Sequence, residues 1–600
     1  MKINVIALIK ILIPLLLLSS EDICYSQNIA GKENDLIVRN YREHILISTD
    51  RDIYITGEQV WFKIYMTDAL TNTFSDLSRI IYIELLDDSD IPVVQLKIDT
   101  DKGSGFSRFR LPDGLASGNY ILRAYTAWMQ NFSPDQFSYK TISVINPFKD
   151  IDRLIISPPI RAVDTSLFPG GKGPMVMESL IGMEVKPSII IRAVPDKNNY
   201  GTREKVNIEI SVSDAAGKHD LTNLSVSVVK SFLINRDRNI FPEEIKADGK
   251  SISGYASPYH LPEPEGQLIR GVIKDKISNE PLRNTEISLS YVGKSSLCQF
   301  GKTNENGEFI FVVKELYGLN ELVIQPVIQT GLTTTVELDQ PFCSIFSEVK
   351  RPGFLPDSSL INDINKAIIA MQITAIYEPF RLANKEKNES RVRTTFYGKP
   401  TRSVNLDDYI ELKDIREVVK EILTEVVLER RNKEYIMKVL SANPYEEFKN
   451  QALIIIDGVP FYDIEKLLNV KATEVERVDI VNNRYFYSGY IFEGIISFVT
   501  KKGNLSSLEF DDSIYRRVFE GCQPPAVFYS PDYTGKAASE SRIPDFRNTL
   551  YWSPEVGLSA DGNATVGFFT SDEAGEYAII VEGIDSEGTP GFIAVPFQVK

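Results

Sequence analysis

Six hundred residues, 43% of them hydrophobic and 25% charged, correspond to about four to five globular units rather than a disordered chain. The net charge of −16 argues against nucleic acid or an anionic membrane surface as a partner. His44, His219 and His260 are too few for a His-rich zinc site, and Cys298, Cys343 and Cys522 have neither metal-type nor redox-type spacing, so no disulfide framework is expected to carry the fold.

At the start, Lys2 and Lys10 flank or interrupt an apolar segment that ends at Leu18, before Ser19-Ser20 and the acidic Glu21-Asp22. Cys24-Tyr25-Ser26 offers small residues where a signal peptidase reads, so 1–26 is expected to be a signal peptide cleaved before Gln27. The apolar core is too short to span a bilayer. Asp22-Ile23 is not the small-residue sequence that precedes a lipidated cysteine, which makes lipidation at Cys24 the weaker reading. No later segment has the length and apolarity of a transmembrane helix. The expectation is an exported chain in the periplasm, at the outer membrane or on the cell surface.

From Ile45 the pattern becomes β. Val60, Phe62, Ile64 and Met66 alternate with Trp61, Lys63, Tyr65 and Thr67, as in a half-buried strand. Ile80 to Leu86, Val93 to Ile98, Gly105 to Leu111 and Asn119 to Thr126 add further strands, which predicts a sandwich over 40–148. The words DRDIYITGEQVWFKIYM and GNYILRAYTAWMQNF resemble the macroglobulin-type domains of the alpha-2-macroglobulin superfamily, in versions found in envelope proteins of Bacteroidetes-like bacteria. Tyr200, Thr202, Glu204, Val206, Ile208, Ile210, Val212 and Asp214 repeat Tyr54, Thr56, Glu58, Val60, Phe62, Ile64, Met66 and Asp68 at a constant offset of 146 residues. A second domain of the same type is therefore expected at 186–260, after a linker at 149–185 marked by Pro169-Gly170-Gly171.

Pro262-Glu263-Pro264 opens a third unit at 265–345. Asn306-Gly307 is a favoured hairpin turn, and Phe309 and Phe311 turn the next strand's apolar face inward. With Ile269 to Asp275 and Thr303 to Phe309, this text resembles the carboxypeptidase-regulatory-like domain, an all-β accessory without catalytic residues of its own. Residues 346–403 carry no assignable pattern. From there, Leu412, Ile415, Val418, Val419, Ile422 and Val426 form one helical stripe, followed by a strand near Val426 to Leu428.

The most distinctive text runs from Ala452 to Gly503. Leu453 to Ile456 reads as a buried strand stopped by Asp457-Gly458 and by Pro460, which cannot donate to a ladder. A short helix over Asp463 to Val470, a strand through Val475, Val478 and Ile480, and a strand over Gly494 to Thr500 ending in Lys501-Lys502 should follow. This order resembles the plug domain of TonB-dependent outer-membrane receptors, placed here at 404–506, with an IDGVP strand-turn and a closing strand ending in TKKG. The family carries more glycine where this chain has Asn482 to Gly489, and a glycine pair where it has Glu493-Gly494, so the resemblance leaves those loop conformations open. A receptor plug sits in a barrel of about 22 strands, and the 97 residues after Gly503 are too few to build one. The expectation is a plug-like module that is not itself a transporter. Its candidate interaction residues are Asp457, Gly458, Val459, Pro460, Arg484, Tyr485, Tyr487, Lys501 and Lys502.

After a linker at 507–545, Leu550 to Pro554, Ala564 to Thr570 and Tyr577 to Gly583 again resemble macroglobulin strands, over 546–600. The fold class expected is mainly β and multidomain: tandem immunoglobulin-like macroglobulin sandwiches with one α+β plug-like domain. No GxSxG elbow, phosphate-binding glycine loop or HExxH helix is present. Asp87, Asp88, Asp90, Asp99 and Asp101 lack the spacing of a calcium loop and read as solvated turns. Protease-trapping macroglobulins build a thioester from GCGEQ. Here Gly521-Cys522-Gln523-Pro524-Pro525 has the wrong Cys-to-Gln spacing, so Cys522 reads as an ordinary thiol. The reading is a non-enzymatic binding or assembly module without cofactor or metal, accessory to TonB-dependent uptake and facing an envelope protein partner, with peripheral outer-membrane association and no transmembrane span. The alternative is a thioester-free protease-binding inhibitor, with Lys230 to Gly266 or Leu505 to Asn548 as bait.

Overall fold

The computed structural model describes residues 41–149, 189–214, 221–235, 260–295, 297–327, 333–347, 349, 360–382, 395–431, 434–506, 514–535 and 541–600. The leader at 1–26, nearly all of the linker at 149–185 and most of the first bait candidate lie outside these residues. The chain is mainly β and multidomain. It divides into two compact units, one holding Gln267–Gln340 and Glu389–Gly521, the other Glu33–Gly266, Pro341–Asn388 and Cys522–Lys600.

The second of these units contains two sandwiches of one design. In the first, Glu43–Thr49, Gln59–Asp68 and Ser104–Arg110 form a three-stranded sheet. Ile53–Ile55, Ser138–Ile145, Gly118–Thr126, Ile80–Leu86 and Pro92–Asp99 form the five-stranded sheet opposite, in that order. The 146-residue repeat reappears as a hydrogen-bond motif. Asp50 Oδ1 accepts from the Tyr54 hydroxyl at 2.7 Å and from the Trp61 N–H at 3.2 Å, while Glu58 Oε2 accepts from the Ile55 N–H at 2.8 Å. Asp196 Oδ1 likewise accepts from the Tyr200 hydroxyl at 2.6 Å and from the Asn207 N–H at 3.0 Å, and Glu204 Oε2 from the Gly201 N–H at 2.6 Å. Every donor and acceptor is offset by 146 positions.

The strands expected separately at 186–260 and 546–600 make a single sandwich. Asn563–Phe569, Lys205–Asp214 and Ile189–Pro195 form its three-stranded sheet. Asn199–Tyr200, Pro590–Val599, Gly575–Asp585, Leu221–Lys230 and Thr549–Val556 form its five-stranded one. The physical reason is closure: the strands before residue 231 bury Val206, Ile208, Leu224 and Val226 only when Val566, Phe568, Ile579 and Val581 cover them. Everything from 231 to 548 is therefore inserted where the first sandwich has the short turn between Ile80–Leu86 and Pro92–Asp99. Such surface turns tolerate insertion because loop-closure entropy grows only logarithmically with length.

Alternation over Gln59–Asp68 implied one solvated face, yet nearly the whole strand is buried. Its second face packs on the other sandwich, with Trp61 centred 5.1 Å from Trp552. Lys63 is fully buried there; its Nζ donates to the Pro554 carbonyl at 2.5 Å and approaches Asn223 Oδ1 at 3.4 Å. Desolvation pushes this ammonium down to about 7, against the opposing pull of Glu555 and Glu582. On the five-stranded sheet, buried Arg123 pairs with Glu84 (Nε to Oε2, 2.9 Å) and donates to the carbonyls of Ile345 and Cys343 at 2.8 Å each. These bonds satisfy an extended segment that belongs to no ladder. Within the span left unassigned at 346–403, Ile361–Leu382 is a helix. Small Ala367 and Ala370 are buried, and the Ala367 carbonyl accepts from Asn548 Nδ2 at 3.1 Å.

The other unit contains the small sandwich and a mixed sheet. Glu308–Val313, Gln267–Asp275 and Thr334–Leu338 face a sheet of Leu297–Lys302, Glu286–Tyr291, Leu319–Pro326 and Tyr515–Glu520. The last strand lies in the stretch read as a linker at 507–545. Its polar edge character hides it from periodicity, but Arg516 holds it with a two-pronged pair to Glu321 at 2.5 and 3.0 Å. The mixed sheet is thus inserted within the small sandwich, between Thr334–Leu338 and Tyr515–Glu520.

Two outcomes are expected. Asp50→Ala strands the Trp61 N–H and the Thr549 hydroxyl, which donates to Asp50 Oδ2 at 2.7 Å, and leaves the Tyr54 hydroxyl only its bonds to the Arg51 backbone. It should cost about 3 kcal/mol in denaturant unfolding of this unit; the less buried Asp196→Ala should cost less. Lys63→Met should change the pH profile of stability. A group whose native pKa is depressed to about 7 from about 10.4 destabilises the fold increasingly as pH falls across that window. The melting temperature of Lys63→Met relative to the parent should therefore rise by several degrees from pH 10 to pH 7 and stay level below.

Candidate functional site

The mixed sheet has the order Arg402–Asn405, Val475–Tyr487, Tyr490–Thr500, Leu453–Ile456, Val459–Pro460. Leu453–Ile456 runs parallel to Tyr490–Thr500, matching Leu453 with Ile495 and Ile456 with Phe498. Parallel pairing needs a crossover, and the short helix Ile464–Leu468 lies in it, capped by the Asp463 carboxylate on the Lys466 N–H. That helix and Ile415–Glu421 cover one face through Ile464, Leu467, Val418 and Val419 packed on Ile454, Ile456 and Phe498. The opposite face places Leu453, Ile455, Val481 and Ile495 against Cys298 and Phe300 of the small sandwich. Burial on both faces explains the near-continuous apolar run in Leu453 to Ile456.

Four of the candidate residues are interior. Asp457 is fully buried at φ +44°. Its carboxylate accepts from the Thr500 N–H at 2.7 Å, the Thr500 hydroxyl at 2.6 Å and the Leu505 N–H at 2.9 Å, tying the first strand of the motif to its end. Gly458, at φ +87°, lies so close to the Tyr291 carbonyl that a Cβ would come within 2.6 Å of it. Val459 and Pro460 are buried, and the Pro460 carbonyl accepts from Gln325 Nε2 at 2.7 Å. The Asp-Gly-Val-Pro turn is a clamp between strands, with no side chain presented to a partner. Lys501 pairs with Asp407 at 2.8 Å on the surface, and Lys502 is exposed beside it.

Arg484, Tyr485 and Tyr487 lie apart from that turn, on a hairpin that runs beyond the sheet. Val475–Tyr487 pairs with Tyr490–Thr500 out to Tyr487 and Tyr490, joined by Ser488-Gly489 at φ +48° and +79°. Two successive positive φ values are what the right-handed twist of a two-residue hairpin requires. The glycine-poor stretch is therefore a tight turn preceded by a register shift between Val481 and Arg484. At the other departure, the Glu493 carboxylate accepts from the N–H groups of Lys449 and Asn450 at 2.8 and 2.7 Å. These bonds and Arg484 hold Glu493 below the usual carboxylate range against the opposing effect of partial burial.

Alternation divides the tip into two faces. Tyr485 and Tyr487 pack on Phe396, with the Tyr485 hydroxyl donating to the Phe396 carbonyl at 2.5 Å. Tyr490 and Phe492 pack on Phe300, with the Tyr490 hydroxyl donating to the Gly301 carbonyl at 3.2 Å. The opposite face carries the facing pairs Arg484 with Glu493 and Phe486 with Ile491. Phe486 is 68% and Ile491 60% exposed, and Arg484 is held by Glu446 at 2.7 Å. The two tyrosines expected to mediate contact face inward, and the two apolar residues that face out, Phe486 and Ile491, are not among the candidates. Period-2 counting separates these sets only within each strand, because the Ser488-Gly489 turn shifts its phase, and it does not say which of them is covered.

Among the described residues, no group of three or more His, Cys, Asp or Glu side chains is placed to hold a metal ion. Cys522 is buried, which pushes its thiol up to about 12, and the Gln523 N–H donates to the Lys97 carbonyl at 2.6 Å. A thiol in that state is a poor nucleophile.

No family model and no curated protein matches the sequence. Among solved structures, alpha-2-macroglobulin from Salmonella, reacted with methylamine, aligns at 9% identity over 93% of this chain and 39% of its own, with a TM-score of 0.23. Trypsin-activated alpha-2-macroglobulin from Escherichia coli aligns at 10% identity over 93% and 41%, also with a TM-score of 0.23. An Escherichia coli adhesin aligns at 12% identity over 49% and 64%, with a TM-score of 0.14. This chain spans about two fifths of the length of those macroglobulins. Likenesses of this degree carry no argument about what the chain does.

The clamp yields a direct expectation. Asp457→Ala leaves three donors unpaired and should lower the stability of this unit by about 3 kcal/mol. Asp457→Asn, which tolerates positive φ and keeps an acceptor, should cost less than half as much. Denaturant unfolding followed by tyrosine fluorescence measures both.

Proposed function

We propose that the chain is a non-enzymatic exported envelope protein, a binding or assembly module at the outer membrane whose contact element is the hairpin tip at Phe486 and Ile491. The observation that carries this reading is the pairing of two large apolar side chains, 68% and 60% exposed, on a ribbon stiffened from behind by Phe396 and Phe300. Isolated exposed apolar residues are ordinary, whereas a facing pair on a rigid support has the form of a contact hot spot. Buried Cys298 and Cys522, both pushed up to about 12 by burial, offer no reactive thiol. The plug-like words at Ile456 to Pro460 and Gly494 to Gly503 support an accessory role beside TonB-dependent uptake, with an envelope protein as partner.

The test is a crosslinked pull-down of the full chain from its native envelope fraction beside the Phe486→Lys, Ile491→Lys double variant. Both positions are exposed, so the variant should keep its circular dichroism and melting temperature. Recovery of a reproducible partner is expected with the parent and should fall at least tenfold with the variant. Equal recovery from both would remove the tip from the interaction.

A further inference from the structure

The face on which the first sandwich meets the second holds a set of groups that packing alone does not require. Leu224, Val226, Ile579 and Val581 lie in the core of the second sandwich, so alternation puts Asn223, Ser225 and Glu582 on the opposite face of its five-stranded sheet. Ser225 and Glu582 are direct cross-strand neighbours, and Asn223 lies two positions along from Ser225. Onto this face Gln59–Asp68 brings Lys63, fully buried, with its Nζ 3.4 Å from Asn223 Oδ1. Glu582 is itself buried and acts electrostatically on the Lys63 ammonium and the Tyr65 hydroxyl. We infer that Lys63 and Asn223 close an isopeptide bond, which joins the two sandwiches covalently, with Glu582 carrying the proton.

The reaction needs an amine with a free lone pair, a carboxamide within reach and a proton carrier, all shielded from water. Desolvation lowers the Lys63 amine to about 7 against the pull of Glu555 and Glu582, so much of it is neutral and nucleophilic at neutral pH. The Pro554 carbonyl accepts from Nζ at 2.5 Å and fixes the amine beside the carboxamide. Asn223 Cγ lies one C=O bond, about 1.2 Å, beyond Oδ1, so a rotation at the end of the lysine brings Nζ into attack range. In the step, the Nζ lone pair attacks Cγ and the Cγ–Nδ2 bond breaks. One Nζ proton passes through the Glu582 carboxylate to Nδ2, which leaves as ammonia, and the carboxylate is regenerated. No oxidant or cofactor enters. Holding amine and amide in one site is equivalent to an effective molarity on the order of 10⁵–10⁸ M. A methionine would fill the same space without burying an amine, so the juxtaposition with Asn223 gives the lysine a use. The described cysteines form no disulfide, whereas this link spans 160 positions and resists reduction.

The experiment is tryptic peptide mapping, by tandem mass spectrometry, of the full chain held folded at neutral pH. A branched peptide in which Lys63 is acylated by Asn223, lighter by one ammonia than its two parts, is expected from the parent. It should be absent from Asn223→Ala and from Lys63→Met, and under reducing, denaturing electrophoresis the parent should migrate faster than both. Glu582→Gln should lower the branched fraction at least tenfold, while Glu555→Gln leaves it unchanged. Recovery of only the two linear peptides from the parent overturns the bond, whether or not the variants fold. A branched peptide that persists at the parent's level in Glu582→Gln overturns the assignment of the proton carrier. The pH-dependent stability expected of Lys63 is that of the chain before closure, and it should return in Asn223→Ala.

Discussion

Strand Leu221–Lys230 hydrogen-bonds on one edge to Thr549–Val556 and on the other to Gly575–Asp585, and the rest of the chain hangs on that closure. Its partners lie more than three hundred residues away, so neither sheet of the second sandwich is complete until the inserted chain has returned. The entropy of closing so long a loop exceeds that of a short turn by only a few kcal/mol. A core that includes Val206, Ile208, Leu224, Val566, Phe568 and Ile579 can outweigh it at about 25 cal/mol per Å² of buried apolar surface. The same device recurs inside the insertion, where Tyr515–Glu520 returns to pair with Leu319–Pro326. The mixed sheet is thus an insertion within an insertion, and ladders fix both of its ends.

Long connections bring unpaired backbone with them, and buried polar side chains answer it. Arg123, neutralised by Glu84, donates to two carbonyls of an extended segment. Lys63 meets the Pro554 carbonyl, and Asp457 gathers three donors at the end of the motif strand. Each group is costly to bury alone and acceptable because its partners are pre-positioned. These residues explain why a protein without disulfides among its described cysteines can hold irregular segments firmly.

The hairpin tip uses the same strand chemistry and, among the described residues, has no ladder beyond its own two strands. Its inner face is an aromatic layer against Phe300 and Phe396, which fixes the ribbon's direction. The outer face keeps Phe486 and Ile491 in solvent. Rigidity on one side and exposure on the other are the two requirements of a pre-organised contact, because ordering costs are met before a partner arrives.

Much of this was legible in the linear text where the physics is local. The 146-residue repeat could be read because Asp50, Tyr54 and Glu58, like Asp196, Tyr200 and Glu204, close their hydrogen bonds within about a dozen positions. The helix at Ile464–Leu468 followed from the apolar spacing of Leu467, Leu468 and Val470, and the turn at Asp457-Gly458 from a residue pair suited to positive φ. Tertiary structure alone decided that 189–230 pairs with 549–599, that Tyr515–Glu520 is a strand and that Trp61 and Lys63 are interior. It also decided that Asp457 to Pro460 are buried while Phe486 and Ile491 are exposed. A two-residue period states that a strand has two different faces. Which face is covered, and by which strand, depends on chain that returns hundreds of residues later.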